Sequence, residues 1–307
     1  MIEEEKKEKN PLIPNLDKNE IENTSNSNNT NENPTDTSIN VNTSSKIILF
    51  TFLGKKRRFP SYNDINGFIC TLSMFLLGTL SYIIMLYQFI KKIDPNNKNF
   101  YLILIIVSII TFIITIISFI DVSTSIPGYQ RGEKISEKEF TNLSPTKTIK
   151  NKTFILKYCH TCKLIKDIRT FHCKYCGICI ERHDHHCSFV SNCIGKKNHK
   201  LFFYFLIICL FHLLPIVIFD GYVIYKVSKL EEEKEKEKSD LVIINVLCGF
   251  VIVFAGFFLC FVITMIITHI QLISKNQTTN EAIRNKDNYI VFNRGCCNNW
   301  KEVFCEN

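Results

Sequence analysis

Apolar side chains are nearly missing from the first 45 residues, which are mostly Asn, Ser, Thr, Glu and Lys. Such a segment cannot bury enough surface to offset the entropy of ordering, so residues 1–45 are expected to form a disordered tail. No basic-then-apolar pattern occurs near Met1, so no secretory signal is expected there. Internal repeats are also lacking. The basic residues, which leave a net charge of +8, gather on no face of their own. They flank apolar runs, which points to a membrane surface and away from nucleic acid. Within those runs acids are scarce, with only Asp220 near the end of one. That scarcity argues against an ion or metal transporter.

What is abundant is apolar sequence in long blocks. Hydrophobic residues make up 46% of the 307, and Phe alone counts 25. Four runs reach the ~20 residues that a bilayer requires: about Gly67–Ile90, Tyr101–Ile120, Leu201–Tyr225 and Leu241–Ile273. The second is rich in β-branched residues, yet at this length only a helix satisfies its backbone in lipid. Ile47–Leu53 is too short to span, and Lys55, Lys56, Arg57 and Arg58 after it read as a basic flank. The run Leu230–Lys238 mixes charges at helical spacing and reads as a solvated extension of the third span. Lys and Arg are dense before the first run, between the second and third, and after the fourth. With an even number of spans, both termini and that middle loop are expected in the cytosol.

The expected fold class is an all-α polytopic membrane protein. Its parts are the tail, a basic juxtamembrane segment over 46–66, helices over 67–120, a cysteine-rich loop over 121–200, helices over 201–273, and a cytosolic segment over 274–307.

The loop carries the chemistry. Seven of fourteen cysteines and five of eight histidines lie between Cys159 and Cys193. Their pairs at CxxC spacing, interleaved with histidines, point to metal in a reducing compartment and not to a disulfide framework. A closed zinc site takes four sulfur or imidazole ligands, so six cysteines and two histidines would serve two sites and leave one cysteine over. Spacing alone permits a sequential division of these ligands or an interleaved one.

This stretch resembles the cysteine-rich domain of the DHHC protein S-acyltransferases. Asp184-His185-His186-Cys187 is the signature tetrapeptide, and Cys159, Cys162, His172-Cys173, Cys176, Cys179, Cys193, Gly195, Asn198 and Phe202 follow the family spacing. Thr278-Thr279-Asn280-Glu281 resembles the TTxE motif. Phe292 to Phe304, with Gly295, Asn299, Trp300 and Val303, resembles the C-terminal motif. The resemblance covers 66–304. It implies an interleaved division, with Cys159, Cys162, His172 and Cys179 on one structural zinc ion and Cys173, Cys176, His186 and Cys193 on a second. It also implies a protein S-palmitoyltransferase that takes an acyl group from acyl-CoA (palmitoyl-CoA) onto Cys187. The group then passes to a cysteine of a membrane-associated protein substrate. His185 is the expected base, oriented by Asp184, in the manner of a nucleophile–base–acid triad. Golgi, endoplasmic reticulum or plasma membrane would be its home.

Other residues follow by the same resemblance. Thr279 would position the Asp184 end of the site, and Asn299 would tie the C-terminal segment to the spans. Phe202, Phe205, Cys209 and His212 form one stripe on the third span at about 100° per residue. With Phe189 they would line an acyl-chain pocket, closed at its far end by His212. The alternative for His212 is a hydrogen bond to a hydroxyl of another span. Arg182, Lys196 and Lys197 are candidates to receive the phosphates of CoA, and Cys296, Cys297 and Cys305 are candidates for lipidation. Three departures stand out. Ser188-Phe189 replaces the usual Pro-Trp, the proline before Arg169 is missing, and Ser125-Ile126-Pro127-Gly128 lacks the usual acid. The rival reading is a membrane-anchored zinc-binding interaction module without catalysis; the spare thiol of Cys187 argues against it.

Overall fold

The structure is a computed structural model that describes residues 49–52, 55–60, 64–92, 95–233, 238–284 and 287–306. The expected tail over 1–45 lies outside the described residues.

Two short strands come first, β1 (Leu49–Phe52) and β2 (Lys55–Arg58), paired antiparallel. The long helices α1 (Ile65–Lys92) and α2 (Lys98–Thr124) follow. The cysteine-rich loop opens with α3 (Glu137–Leu143), whose start is fixed by a capping box of Ser136 and Glu139. Four two-stranded hairpins come next: β3 (Thr146–Ile149) with β4 (Lys152–Ile155), and β5 (Lys157–Cys159) with β6 (Leu164–Lys166). Then come β7 (Phe171–Cys173) with β8 (Ile178–Ile180), and β9 (His185–Cys187) with β10 (Asn192–Ile194). The chain continues through α4 (His199–Glu233), α5 (Lys238–Ser274), the short α6 (Thr279–Ile283) and α7 (Cys296–Phe304).

Among the described residues four helices are long and apolar enough to cross a membrane, and the cysteine-rich loop joins the second to the third. The expected fold class holds, with the addition that the loop is built on hairpins. The expected extension of the third span is helical as far as Glu233. Large apolar side chains such as Leu77, Ile103, Ile117 and Phe257 point outward from the bundle, as lipid-facing positions should.

Two apolar clusters hold the bundle. One joins Tyr82, Leu86, Phe89, Tyr101, Phe219 and Val223. The other joins Phe119, Val122, Phe202 and Phe205 to Cys187, Val190 and Ile194, and so fastens the loop to the helices. Two glycines permit this approach. A Cβ on Gly67 of α1 would run into the Ser188 carbonyl oxygen, immediately after Cys187. A Cβ on Gly195 would stand 2.6 Å from Ile180 Cγ2 and 2.7 Å from the Pro127 oxygen.

The basic stretch Lys55–Arg58 is more than a charged flank. Arg58 is buried at 3% exposure, where its Nη1 donates to Asn192 Oδ1 at 3.0 Å and to Cys176 Sγ at 3.4 Å. Arg57 pairs with Asp121 at the end of α2. A guanidinium is weakly hydrated and presents a planar fork of donors, so it can be buried where these acceptors converge.

Candidate active site and metal clusters

The hairpins explain how the cysteines gather. In β5–β6 the chain reverses after Cys159, with Lys163 at φ +55° and its N–H bonded to the Cys159 oxygen at 2.7 Å. Gly177 makes the equivalent turn in β7–β8, at φ +66°, bonded to the Cys173 oxygen at 2.8 Å. Each turn brings the two sulfurs of a CxxC pair to one side.

Two quartets result: Cys159, Cys162, His172 and Cys179, and Cys173, Cys176, His186 and Cys193. In each, the four donor atoms lie within 4.8 Å of one another. His172 Nδ1 stands 3.3 to 3.9 Å from its three sulfurs, and His186 Nδ1 3.5 to 3.6 Å from its own. A tetrahedral zinc with bonds of 2.0 to 2.3 Å has ligand–ligand edges of roughly 3.3 to 3.8 Å, so both quartets fit that ion. His186 Nε2 lies 3.2 Å from Asp64 Oδ2, the carboxylate-on-histidine arrangement that orients a metal-binding imidazole. Asp64, far from the loop in sequence, carried no signal there.

Strand alternation then separates the adjacent residues of the tetrapeptide. In β9 the side chains of His185 and Cys187 share one face, and His186 points to the other, into the second quartet. An extended strand alone brings His185 and Cys187 to one face, with no bend in the backbone.

Asp184 completes the row. Its Oδ2 accepts from His185 Nδ1 at 2.6 Å and from Thr279 Oγ1 at 2.7 Å, and its Oδ1 accepts from the Thr279 N–H at 2.8 Å. Burial works against ionisation of Asp184, but the hydrogen bond from His185 and the charge on that ring hold its pKa well below the usual carboxylate range. For His185 burial opposes the charge, yet hydrogen bonds to Asp184 and Cys187 outweigh it and raise its pKa to about 10. The imidazole thus sits between a buried carboxylate and a buried thiol.

The TTxE-like segment is anchored from both ends. Thr278 caps α6 and forms a capping box with Glu281. The Glu281 carboxylate receives Arg169 through Nε at 2.7 Å and Nη2 at 2.9 Å, a bidentate pair exposed by no more than 7%. Asn299 Nδ2 donates to the Ser274 oxygen at 2.8 Å, and so ties α7 to the end of α5. Arg182 is not at the surface to meet a phosphate: it is buried, with Nη2 donating to Asn276 Oδ1 at 3.0 Å. Lys196 and Lys197 are exposed.

Below Cys187 a cavity of about 420 Å³ runs between α1, α4 and α5. Cys187, Phe189, Phe202, Phe205, Cys209 and His212 are among its lining residues. His212 is also bonded to hydroxyls of two other helices, with Nε2 3.2 Å from Thr79 Oγ1 and Nδ1 3.1 Å from Thr111 Oγ1. His212 thus lines the cavity and also makes the hydrogen bonds to hydroxyls of other spans that were considered for it.

The DHHC palmitoyltransferase family matches the chain over residues 152–286, the span that holds both quartets, Asp184, His185 and Cys187, and the TTxE-like segment. This stretch of the chain is similar to that family. Protein S-acyltransferase 8 of Arabidopsis thaliana is 31% identical over 159 residues, or 49% of this chain and 37% of that protein. Palmitoyltransferase ZDHHC5 of Homo sapiens is 32% identical over 203 residues, or 64% of this chain and 27% of that protein. The matches thus span about a third of these relatives' lengths. The DHHC match stops short of α7, where hydrogen bonds and ring contacts supply the connection: Trp300 Nε1 donates to Ser274 Oγ at 3.0 Å, and its ring meets Phe203.

Proposed function

We propose that this protein is a protein S-acyltransferase that carries a fatty acyl group from acyl-CoA, palmitoyl-CoA among them, to cysteines of membrane-associated proteins. One observation carries the reading: Cys187 stands at the head of an apolar cavity with His185 and Asp184 in line behind it. The acyl chain would occupy the cavity and present its thioester carbonyl to Cys187. The Cys187 thiolate attacks that carbon, the C–S bond to CoA breaks, and His185 gives its proton to the departing sulfur. Neutral His185 then takes the proton of the incoming cysteine thiol. The new thiolate attacks the acyl-enzyme, and Cys187 leaves as thiolate. Asp184 keeps His185 in the orientation that both transfers need. Lys196 and Lys197, both exposed, would receive the phosphates of CoA.

The two quartets would hold structural zinc, which supplies folding energy to the loop. No step of the transfer passes through them. Both termini and the loop belong in the cytosol on this reading, where thiols stay reduced and acyl-CoA is supplied.

The test is incubation of the purified full chain with labelled acyl-CoA. A hydroxylamine-sensitive label should appear on the wild type and vanish in Cys187→Ser, with two zinc ions retained. Loss of one zinc ion in that variant would make Cys187 a ligand and sink the assignment.

A further inference from the structure

A third group of metal-ligand side chains lies behind the triad. Asp184, His199 from the first turn of α4 and His269 from the last turns of α5 each offer one donor atom within 4.8 Å of the other two. All three are buried, at 1%, 2% and 0% exposure. His199 Nε2 lies 3.1 Å from His269 Nδ1, so the two rings face each other through nitrogen.

The carboxylate has capacity left. An ionised carboxylate offers about four lone-pair sites. Three on Asp184 are taken: two on Oδ2 by His185 and Thr279 Oγ1, and one on Oδ1 by the Thr279 N–H. The remaining site on Oδ1 has no hydrogen bond from either His199 or His269, although both are close. The two imidazoles hydrogen-bond each other at 3.1 Å, and neither bonds the carboxylate. That separation is also close to the ligand–ligand edge of a site with metal–nitrogen bonds of about 2.0 Å, so an ion could take the place of the shared proton and reach Oδ1. Two imidazoles and one carboxylate form a donor set that suits zinc and related divalent ions.

We propose that Asp184, His199 and His269 form a third metal site, one that binds a divalent zinc-class cation reversibly and inhibits the enzyme while occupied. With one anionic donor against three in each cysteine quartet, this site should bind more weakly and fill only when free zinc rises. A cation on Oδ1 withdraws charge from the carboxylate whose Oδ2 holds His185 and disfavours the imidazolium, so occupancy would disable the triad. The binding rests on geometry alone. The inhibition rests on the acyl-transfer reading, and the experiment separates the two.

Full-length protein holding its two zinc ions is dialysed to equilibrium against rising free Zn²⁺, and bound metal is counted. The wild type should take up one further equivalent, and His269→Gln and His199→Gln should not, while both variants keep the first two. His269→Cys, which restores a ligand, should recover the uptake. Cobalt(II) added to the zinc-loaded wild type should give weak visible bands without sulfur charge-transfer absorption, which excludes Cys187 as the ligand and needs no variant. In the second arm, autoacylation by labelled acyl-CoA is measured against free Zn²⁺, each protein normalised to its own uninhibited rate. The zinc concentration for half-inhibition should rise at least roughly tenfold in His269→Gln, since even an outer partner of a metal ligand is worth that much. Wild-type uptake that stops at two equivalents, or uptake equal in wild type and variants, would overturn the site. Uptake without inhibition would overturn the regulatory role and leave the transferase reading intact.

Discussion

Asn192 stands directly opposite Cys187 in the β9–β10 ladder, and its amide binds the last carbonyls of α2. Asn192 Nδ2 donates to the Val122 oxygen at 2.9 Å and to the Ser125 oxygen at 2.8 Å, while its Oδ1 accepts from Arg58. The strand beside the proposed nucleophile is therefore held to the segment before the first span and to the end of the second. The same Arg58 donates to Cys176 of the second quartet.

Arg58 should accordingly help that quartet keep its metal. Removing it leaves Asn192 Oδ1 without its buried donor and takes a positive charge from beside the Cys176 thiolate. Arg58→Met is expected to release one of two zinc ions to a chromophoric chelator about tenfold faster than wild type, in line with loss of an outer partner. An unchanged release rate would show that the contact does nothing for the metal.

Arg169 and Glu281 offer a stability test away from the reacting atoms. Arg169→Met strands a fully buried carboxylate, which keeps only its bond from the Thr278 N–H. Breaking a buried pair from one side costs about 3 kcal/mol or more. Thermal unfolding in detergent should fall by several degrees, and autoacylation with it, because α6 also carries Thr279. A variant as stable as wild type would contradict the pairing.

The approach of α1 to the β9–β10 hairpin depends on Gly67. Gly67→Ala places a methyl against the Ser188 oxygen, a backbone atom that cannot step aside. Overpacking of this kind costs about 1 to 3 kcal/mol. The expected result is a slower autoacylation rate with both zinc ions retained. Gly256→Ala in α5, where nothing lies within 4 Å of the new methyl, should be nearly neutral. Equal rates in the two variants would refute the contact.

His212 should set the depth of the cavity. His212→Ala removes the ring that bridges Thr79 and Thr111 and opens the cavity past Cys209. Preference should shift toward longer acyl chains, read by mass on Cys187 after competition between acyl-CoAs. An unchanged profile in a folded variant would leave His212 with a purely structural bond.

Much of this molecule is written in short-range pattern. Each long helix covers an apolar run, because at that length no other backbone form satisfies its own hydrogen bonds in lipid. The ingredients of the metal clusters and the spare thiol were equally legible, since ligand type and CxxC spacing are local. Spacing left the division of the ligands open. Hairpin register groups them in the structure: Cys193 pairs with His186, and His172 with Cys179, so each histidine faces a cysteine of its own quartet.

What only the tertiary structure decided comes from distant parts of the chain. Arg58 reaches Cys176 across 118 positions, Asp64 reaches His186 across 122, and Arg169 reaches Glu281 across 112. A basic flank, a lone aspartate and a loop arginine are ordinary features in sequence, and nothing local marks them as partners of a metal cluster or a capping box. His199 and His269 are hidden for the same reason, as single histidines in two helices 70 positions apart that meet behind Asp184. Periodicity and ligand spacing determine which segments form and which chemistry they carry. Long-range packing decides which buried charges face each other, because a buried polar group takes whatever partner the fold brings within hydrogen-bond reach.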